Sequence, residues 1–153
     1  ARAQDGPARL YVLDVDGSDA RPVTPDGMDV GDVGWAVAPD GATVAVSSGG
    51  QVELFPLGGG EARRVPGADG RSRVVGWIER GLLISDDPLA GGTVYRVDPA
   101  TGRRELWEDI RPQDPAGIMN LNLNTLVTTP DGRGYGYTWH RAMSDLYLVE
   151  GLA

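Results

Sequence analysis

The sequence contains no cysteine and no lysine, one histidine and one phenylalanine, and no apolar run approaching 18 residues. With no cysteine, the redox compartment stays open, because a disulfide-free chain is tolerated inside and outside the cell. With one histidine, His140, a multi-histidine metal site is impossible and a Ser-His-Asp triad has only one candidate base. With no long apolar run and no signal-like N-terminus, the chain is expected neither to span nor to insert into a membrane, any targeting segment being removed or elsewhere. All 14 basic residues are Arg, which reads as the codon bias of a GC-rich bacterial genome more readily than as chemistry.

What is present points to many short strands. The 153 residues are 41% hydrophobic, enough for one core without disulfides or metals. Twenty-three Gly and 11 Pro are spread through the chain, as tight turns between strands require. The net charge of −8 disfavours nucleic acid and anionic lipid as partners. Residues 1 to 60 hold three Arg against nine acids, and residues 61 to 111 hold nine of each, so the acidity belongs to the first third.

A repeat organises these strands. Gly34-Trp35 in DVGW returns as Gly76-Trp77 in VVGW, and 76 minus 34 is 42. RLYVLDVDGSDARPVT aligns with QVELFPLGGGEARRVP at the same interval, Ala20-Arg21 falling on Ala62-Arg63, and Val94-Tyr95-Arg96-Val97-Asp98 lies 42 beyond Val52. Leu146-Tyr147-Leu148-Val149 follows after 52, about ten residues being inserted. A period of 40 to 45 residues is that of four-stranded propeller units. Pro39-Asp40-Gly41 and Pro130-Asp131-Gly132 are hairpin turns, Pro fixing φ and Gly supplying φ > 0. Glu79-Arg80-Gly81 is a degenerate copy, and Asp16-Gly17, Gly58-Gly59-Gly60 and Thr101-Gly102 turn the next strand pair. The pattern predicts an all-β chain with two strands over about 9–24, four over about 33–66, four over about 73–108 and three over about 120–150.

GWAVAPDGATVAV, VTTPDGRGYGYTW, RLYVLDVDG and DLYLVEGL resemble TolB-type, WD-like propeller repeats across nearly the whole chain. The resemblance implies a β-propeller fragment of about three to three and a half antiparallel blades, which cannot close as one ring. The stretch TPDGRGYGYTWHRAMSDLYLVEGLA is similar to the closing blade of the C-terminal propeller of bacterial eukaryote-like serine/threonine kinases. That similarity implies an extracytoplasmic location, in the periplasm or at the cell surface, and a kinase domain elsewhere. No kinase motif is present in these residues.

Each candidate site has a plainer reading. His140 in TWHRAMSD is expected in a surface loop, or at a ligand-binding mouth with Trp139 and Arg141. Asp14-Val15-Asp16-Gly17-Ser18-Asp19 alternates acids like a calcium loop, but Pro25 stands where a bidentate Glu belongs and the aligned Gly58–Gly60 marks a hairpin. Asp86 and Asp87 could pair as carboxylates, yet neighbours on a strand face apart, so a solvated loop before Pro88 is expected. Trp35 and Trp77 recur in the repeat and are expected to pack between blades. The pairs Arg63-Arg64 and Arg103-Arg104 read as a solubilised edge, with an anion site as the alternative. Asn120, Asn122 and Asn124 alternate with Leu121 and Leu123, giving one amide face that would line a central channel if the strand is innermost.

The sequence therefore predicts a non-catalytic binding module needing no cofactor and no metal. Trp139, His140, Arg141, Asn120, Asn122 and Asn124 are its candidate ligand contacts. Its expected partners are the missing half of the propeller or a second copy of itself, and an unknown protein, peptide or glycan ligand. The alternative is an accessory gating propeller of a prolyl-oligopeptidase-like or amidohydrolase-like enzyme, its catalytic domain outside this chain. A third is a repeat fragment with no function of its own.

Overall fold

Short strands, many of them joined by glycine- or aspartate-bearing turns, make up much of the computed structural model, which describes residues 8–28, 34–87, 92–114 and 116–144. No helix occurs among them. The strands are β1 (Tyr11–Val12), β2 (Arg21–Pro22), β3 (Trp35–Val37), β4 (Thr43–Ser48), β5 (Gln51–Pro56) and β6 (Arg63–Asp69). They continue as β7 (Arg73–Ile78), β8 (Gly81–Ser85), β9 (Thr93–Val97), β10 (Arg104–Asp109), β11 (Ile118–Thr128) and β12 (Tyr135–Arg141). Leu146–Val149 lies outside the described residues, as do the side chains of Asp69 and Asn120.

All pairing is antiparallel and between chain neighbours. β1–β2 form a first sheet, β3–β4–β5–β6 a second, β7–β8–β9–β10 a third and β11–β12 a fourth. Three hydrophobic layers separate them. Val44, Val46 and Phe55 meet Leu10, Val23 and Met28 between the first and second sheets. Ala45, Val52 and Leu54 meet Val74, Leu82, Ile84 and Val97 between the second and third. Val75, Ile78, Leu83 and Val94 meet Leu121, Leu123 and Leu126 between the third and fourth.

The third sheet is therefore covered on both faces, and the second on one face and over β4 and β5 of the other, and their sequences show it. β8 is Gly-Leu-Leu-Ile-Ser and is buried at every position, Leu82 and Ile84 facing the second sheet while Leu83 faces the fourth. A strand with two buried faces reads as a continuous apolar run and not as an alternation. β7 lies against both β3 and β11, so the first strands of the second, third and fourth sheets are neighbours in series.

The 42-residue period hides an exchange of loop lengths. The β3–β4 hairpin passes Val37 to Val44 through Pro39-Asp40-Gly41, with Gly41 at φ 69°. In β7–β8 the pairing runs to Ile78↔Gly81, leaving a two-residue turn, Glu79-Arg80. The shortfall returns between β8 and β9, which end at Ser85 and resume at Thr93, where β4 and β5 are joined by Gly49-Gly50 alone. The hydrophobic markers stay in phase because the two changes offset each other.

Sheets are also tied through polar atoms. The Glu79 N–H donates to the Pro130 carbonyl at 2.8 Å, joining equivalent turns of the third and fourth sheets. One guanidinium N–H of Arg63 donates to the Pro99 carbonyl at 2.8 Å, joining the second sheet to the third.

Candidate functional site

The residues singled out near the C-terminus fall on one hairpin, but on two faces of it. In β11–β12 the register is Ile118↔Arg141, Asn120↔His140, Leu121↔Trp139 and Asn122↔Thr138, then Val127↔Gly136 and Thr128↔Tyr135. Directly opposed residues share a face. Leu121 belongs to the layer under the third sheet, so Trp139 sits on that side, with the Arg141 guanidinium 4.9 Å from its ring centroid. Asn122 and Thr138 occupy the other side, where no described strand covers them. His140 lies in strand β12, not in the loop expected, and its exposed side chain follows the alternation onto the face opposite Trp139.

A bulge interrupts this hairpin. From Asn122 to Val127 the chain advances five residues while its partner moves two, from Thr138 to Gly136. Thr125 stitches the excess. Its hydroxyl donates to the Asn122 carbonyl and lies 2.8 Å from the Thr138 hydroxyl, while the Thr138 N–H donates to it at 3.1 Å. The Asn122 side-chain oxygen accepts from the Asn124 backbone N–H at 3.1 Å, so the Asn122 amide shapes the bulge.

Arg141 is held at the hairpin's base, where one N–H donates to the Asp114 carbonyl at 2.7 Å and another lies 3.1 Å from its carboxylate. The Ala116 N–H and the Arg141 charge hold Asp114 below the usual carboxylate range. At the other end, Tyr135 packs edge-on against Trp107 with centroids 5.4 Å apart. Burial, with Glu108 and Tyr137 close by, pushes its hydroxyl pKa up.

The arginine pairs are structural. Arg104 stacks 3.6 Å from the Tyr95 ring centroid and pairs with Asp86, whose other oxygen accepts from the buried Ser72 hydroxyl at 3.0 Å. Burial works to raise the Asp86 pKa, but the Arg104 and Ser72 hydrogen bonds outweigh it and hold it low. Arg103 pairs with Glu105, which also binds Arg96. Asp14–Asp19 is a hairpin turn in which the Gly17 N–H donates to the Asp14 carbonyl and the Ser18 N–H to the Asp16 carboxylate. Among the described residues no group of three His, Cys, Asp or Glu is placed to hold a metal ion.

Two clefts open at the end of the sheets that carries the β3–β4, β7–β8 and β9–β10 turns. One, of about 410 Å³, is walled by Arg80, Arg96, Asp98, Arg103 and Glu105. Arg96 and Arg103 are already paired with Glu105 there, which leaves little free charge. The other, of about 330 Å³, runs between the second and third sheets along Leu54, Trp77, Pro56 and Pro99, with Asp40, Glu61 and Arg63 at its rim. An apolar floor with an indole wall and convergent charges is the usual composition of a small-ligand site. The place of Trp77 in the repeat predicts packing alone. Its half-buried ring does pack on the layer between these sheets, yet it also lines the cleft.

Compared with known proteins, the chain matches no family model, no curated protein and no solved structure.

Proposed function

We infer that the chain is an arc of a β-propeller acting as a non-catalytic binding module. One observation carries this reading: β3, β7 and β11 lie side by side although each opens a separate antiparallel sheet. A sandwich has two sheets around one core, whereas four sheets with three successive layers between them suit radial stacking about an axis. In this reading each sheet is a blade, β3, β7 and β11 face the axis, and the arc lies outside the membrane as part of a larger protein, a receptor-type serine/threonine kinase.

The Trp77 cleft supplies the binding surface. Its ligand is a peptide or glycan that lays a flat face on the indole and offers polar groups to Asp40, Glu61 and Arg63. Asp86, Glu105 and Asp114, each beside an arginine, are held ionised by hydrogen bonds and charge, which suits anchoring and not proton transfer.

Peptide and glycan arrays probed with the chain test the assignment. A binder is expected to lose at least about tenfold in affinity with Trp77→Ala and with the rim variant Glu61→Arg. Binding that survives both, chemical turnover of the bound compound, or failure to bind any array member would overturn it.

A further inference from the structure

Trp35 and Trp77 occupy the same place in the repeat and the same face of their sheets, yet Trp77 is half-buried and Trp35 is exposed. Ala36 packs into the layer between the second and third sheets, so its neighbours Trp35 and Val37 project from the opposite face, toward the first sheet. Trp77 likewise points toward the sheet preceding its own, where it is half-buried. Trp35 and Val37 are each 43% exposed. Among the described residues, Leu10, Val23 and Met28 of the first unit pack on Val44, Val46 and Phe55 of β4 and β5.

The open position is two strands wide, since the second and third sheets have four strands each and the first shows two. At the other end of the stack, β11–β12 is a two-stranded unit that opens its sheet as β3–β4 and β7–β8 open theirs. One of its faces packs on the third sheet. The other, carrying Asn122, Thr138 and Val127, has no described strand over it, and Val127 is 67% exposed. The charges are complementary. Residues 8–28 hold four Asp and two Arg, a net of −2, and residues 116–144 hold two Arg and one Asp, a net of +1 with His140 neutral.

We propose that the chain forms a closed dimer in which the open face of β11–β12 of each copy covers Trp35 and Val37 of the other. The inference rests on the propeller reading. It extends the series β3, β7, β11 by the contact it already contains: β11 of one copy lies on β3 of the second as β7 lies on β3 within one chain. Three first strands per copy give six around the axis, and the described strands β11–β12 of one copy and β1–β2 of the other fall in one layer. Both interfaces form together under a two-fold axis, so neither copy is left with an unmatched face.

Opposite charges introduced on the two faces test the arrangement. Light scattering at micromolar concentration is expected to give twice the monomer mass for the wild type and the monomer mass for Trp35→Arg and for Val127→Asp. Both residues are exposed in the single chain, so both variants should fold. Mixed in equal amounts, the two variants should recover the dimer. One interface then pairs the new Arg with the new Asp, and the other is wild type on both sides. A monomeric wild type, a dimer that persists in either variant, or a mixture that stays monomeric overturns the proposal. A monomer whose Trp35 is shielded from quencher does so as well, because the chain's own segment or another protein then covers the face. Hydrogen exchange at the Val74 amide, which is bonded across the second and third sheets, separates the two readings. Slow exchange in a monomer removes the dimer and leaves the propeller arc, whereas fast exchange removes both.

Discussion

The buried hydroxyl of Ser47 on β4 accepts a hydrogen bond from the Val74 N–H on β7 at 2.7 Å. The bond crosses from one sheet to the next, and the Ser47 N–H in turn donates to the Gly34 carbonyl at 2.6 Å. Ser47→Ala removes the acceptor and leaves a buried N–H without a partner, which costs about 1–3 kcal/mol. Urea unfolding is expected to show a lower midpoint at unchanged slope, together with faster exchange of the Val74 amide. An unchanged midpoint would mean that the second and third sheets are not registered through this bond.

Two adjacent leucines report on separate layers. Leu82 and Leu83 are both fully buried, the first among Ala45, Val52 and Leu54 and the second among Leu121, Leu123 and Val94. Truncating either to Ala is expected to cost about 2–5 kcal/mol. The methyl spectra should distinguish them, with Leu82→Ala shifting Val52 and Leu54 while Leu83→Ala shifts Leu121 and Leu123. A common set of shifted methyls would contradict the stacking of sheets.

Gly81 opens β8 at φ 147°, a region L side chains rarely adopt, and a Cβ there would meet the Val97 carbonyl oxygen at 2.7 Å. Gly81→Ala combines a strained backbone with a steric clash and is expected to cost at least ~1–3 kcal/mol. Gly41 has φ 69° with nothing within 4 Å of the added carbon, so Gly41→Ala should cost only about 1 kcal/mol. Thermal melts of the two variants check the order.

Acid should destabilise the fold. Hydrogen bonds hold Asp16, Asp98 and Asp131 below the aspartate value of 3.8, and Arg96 and Arg103 hold Glu105 below 4.5. A carboxylate with a lowered folded pKa binds fewer protons folded than unfolded, so stability rises with pH through this window. The contribution is complete above the unfolded values and disappears as pH falls through the folded ones. Denaturation midpoints measured from pH 6 down to pH 2 should be flat at first and fall below about pH 4.5.

Arg104→Leu isolates one such carboxylate. It removes the guanidinium that stacks on Tyr95 and binds Asp86, leaving the Ser72 hydroxyl as the remaining donor. Burial then dominates, and the Asp86 pKa measured by carboxyl NMR titration should rise. The stability loss should stay within about 1 kcal/mol, because the pair is partly exposed and screened by solvent.

The spacing of Trp35 and Trp77, the Pro-Asp-Gly turns and the Val-Tyr-Arg-Val strands were enough to determine short antiparallel strands grouped in successive units. Local backbone preference and strand alternation act within a few residues, and sequence records both directly. Other features depended on which sheet lies on each face. They include the exposed Trp35 against a half-buried Trp77, the Ser47–Val74 bond across 27 positions, Arg104 on Tyr95 and the cleft along Trp77. The loops exchanged between the second and third units were equally hidden, since the apolar markers kept phase while the turns did not. A hydrophobic pattern says that a face is buried. Only the packed structure decides what buries it, because that depends on the distance and angle between sheets that are remote in the chain.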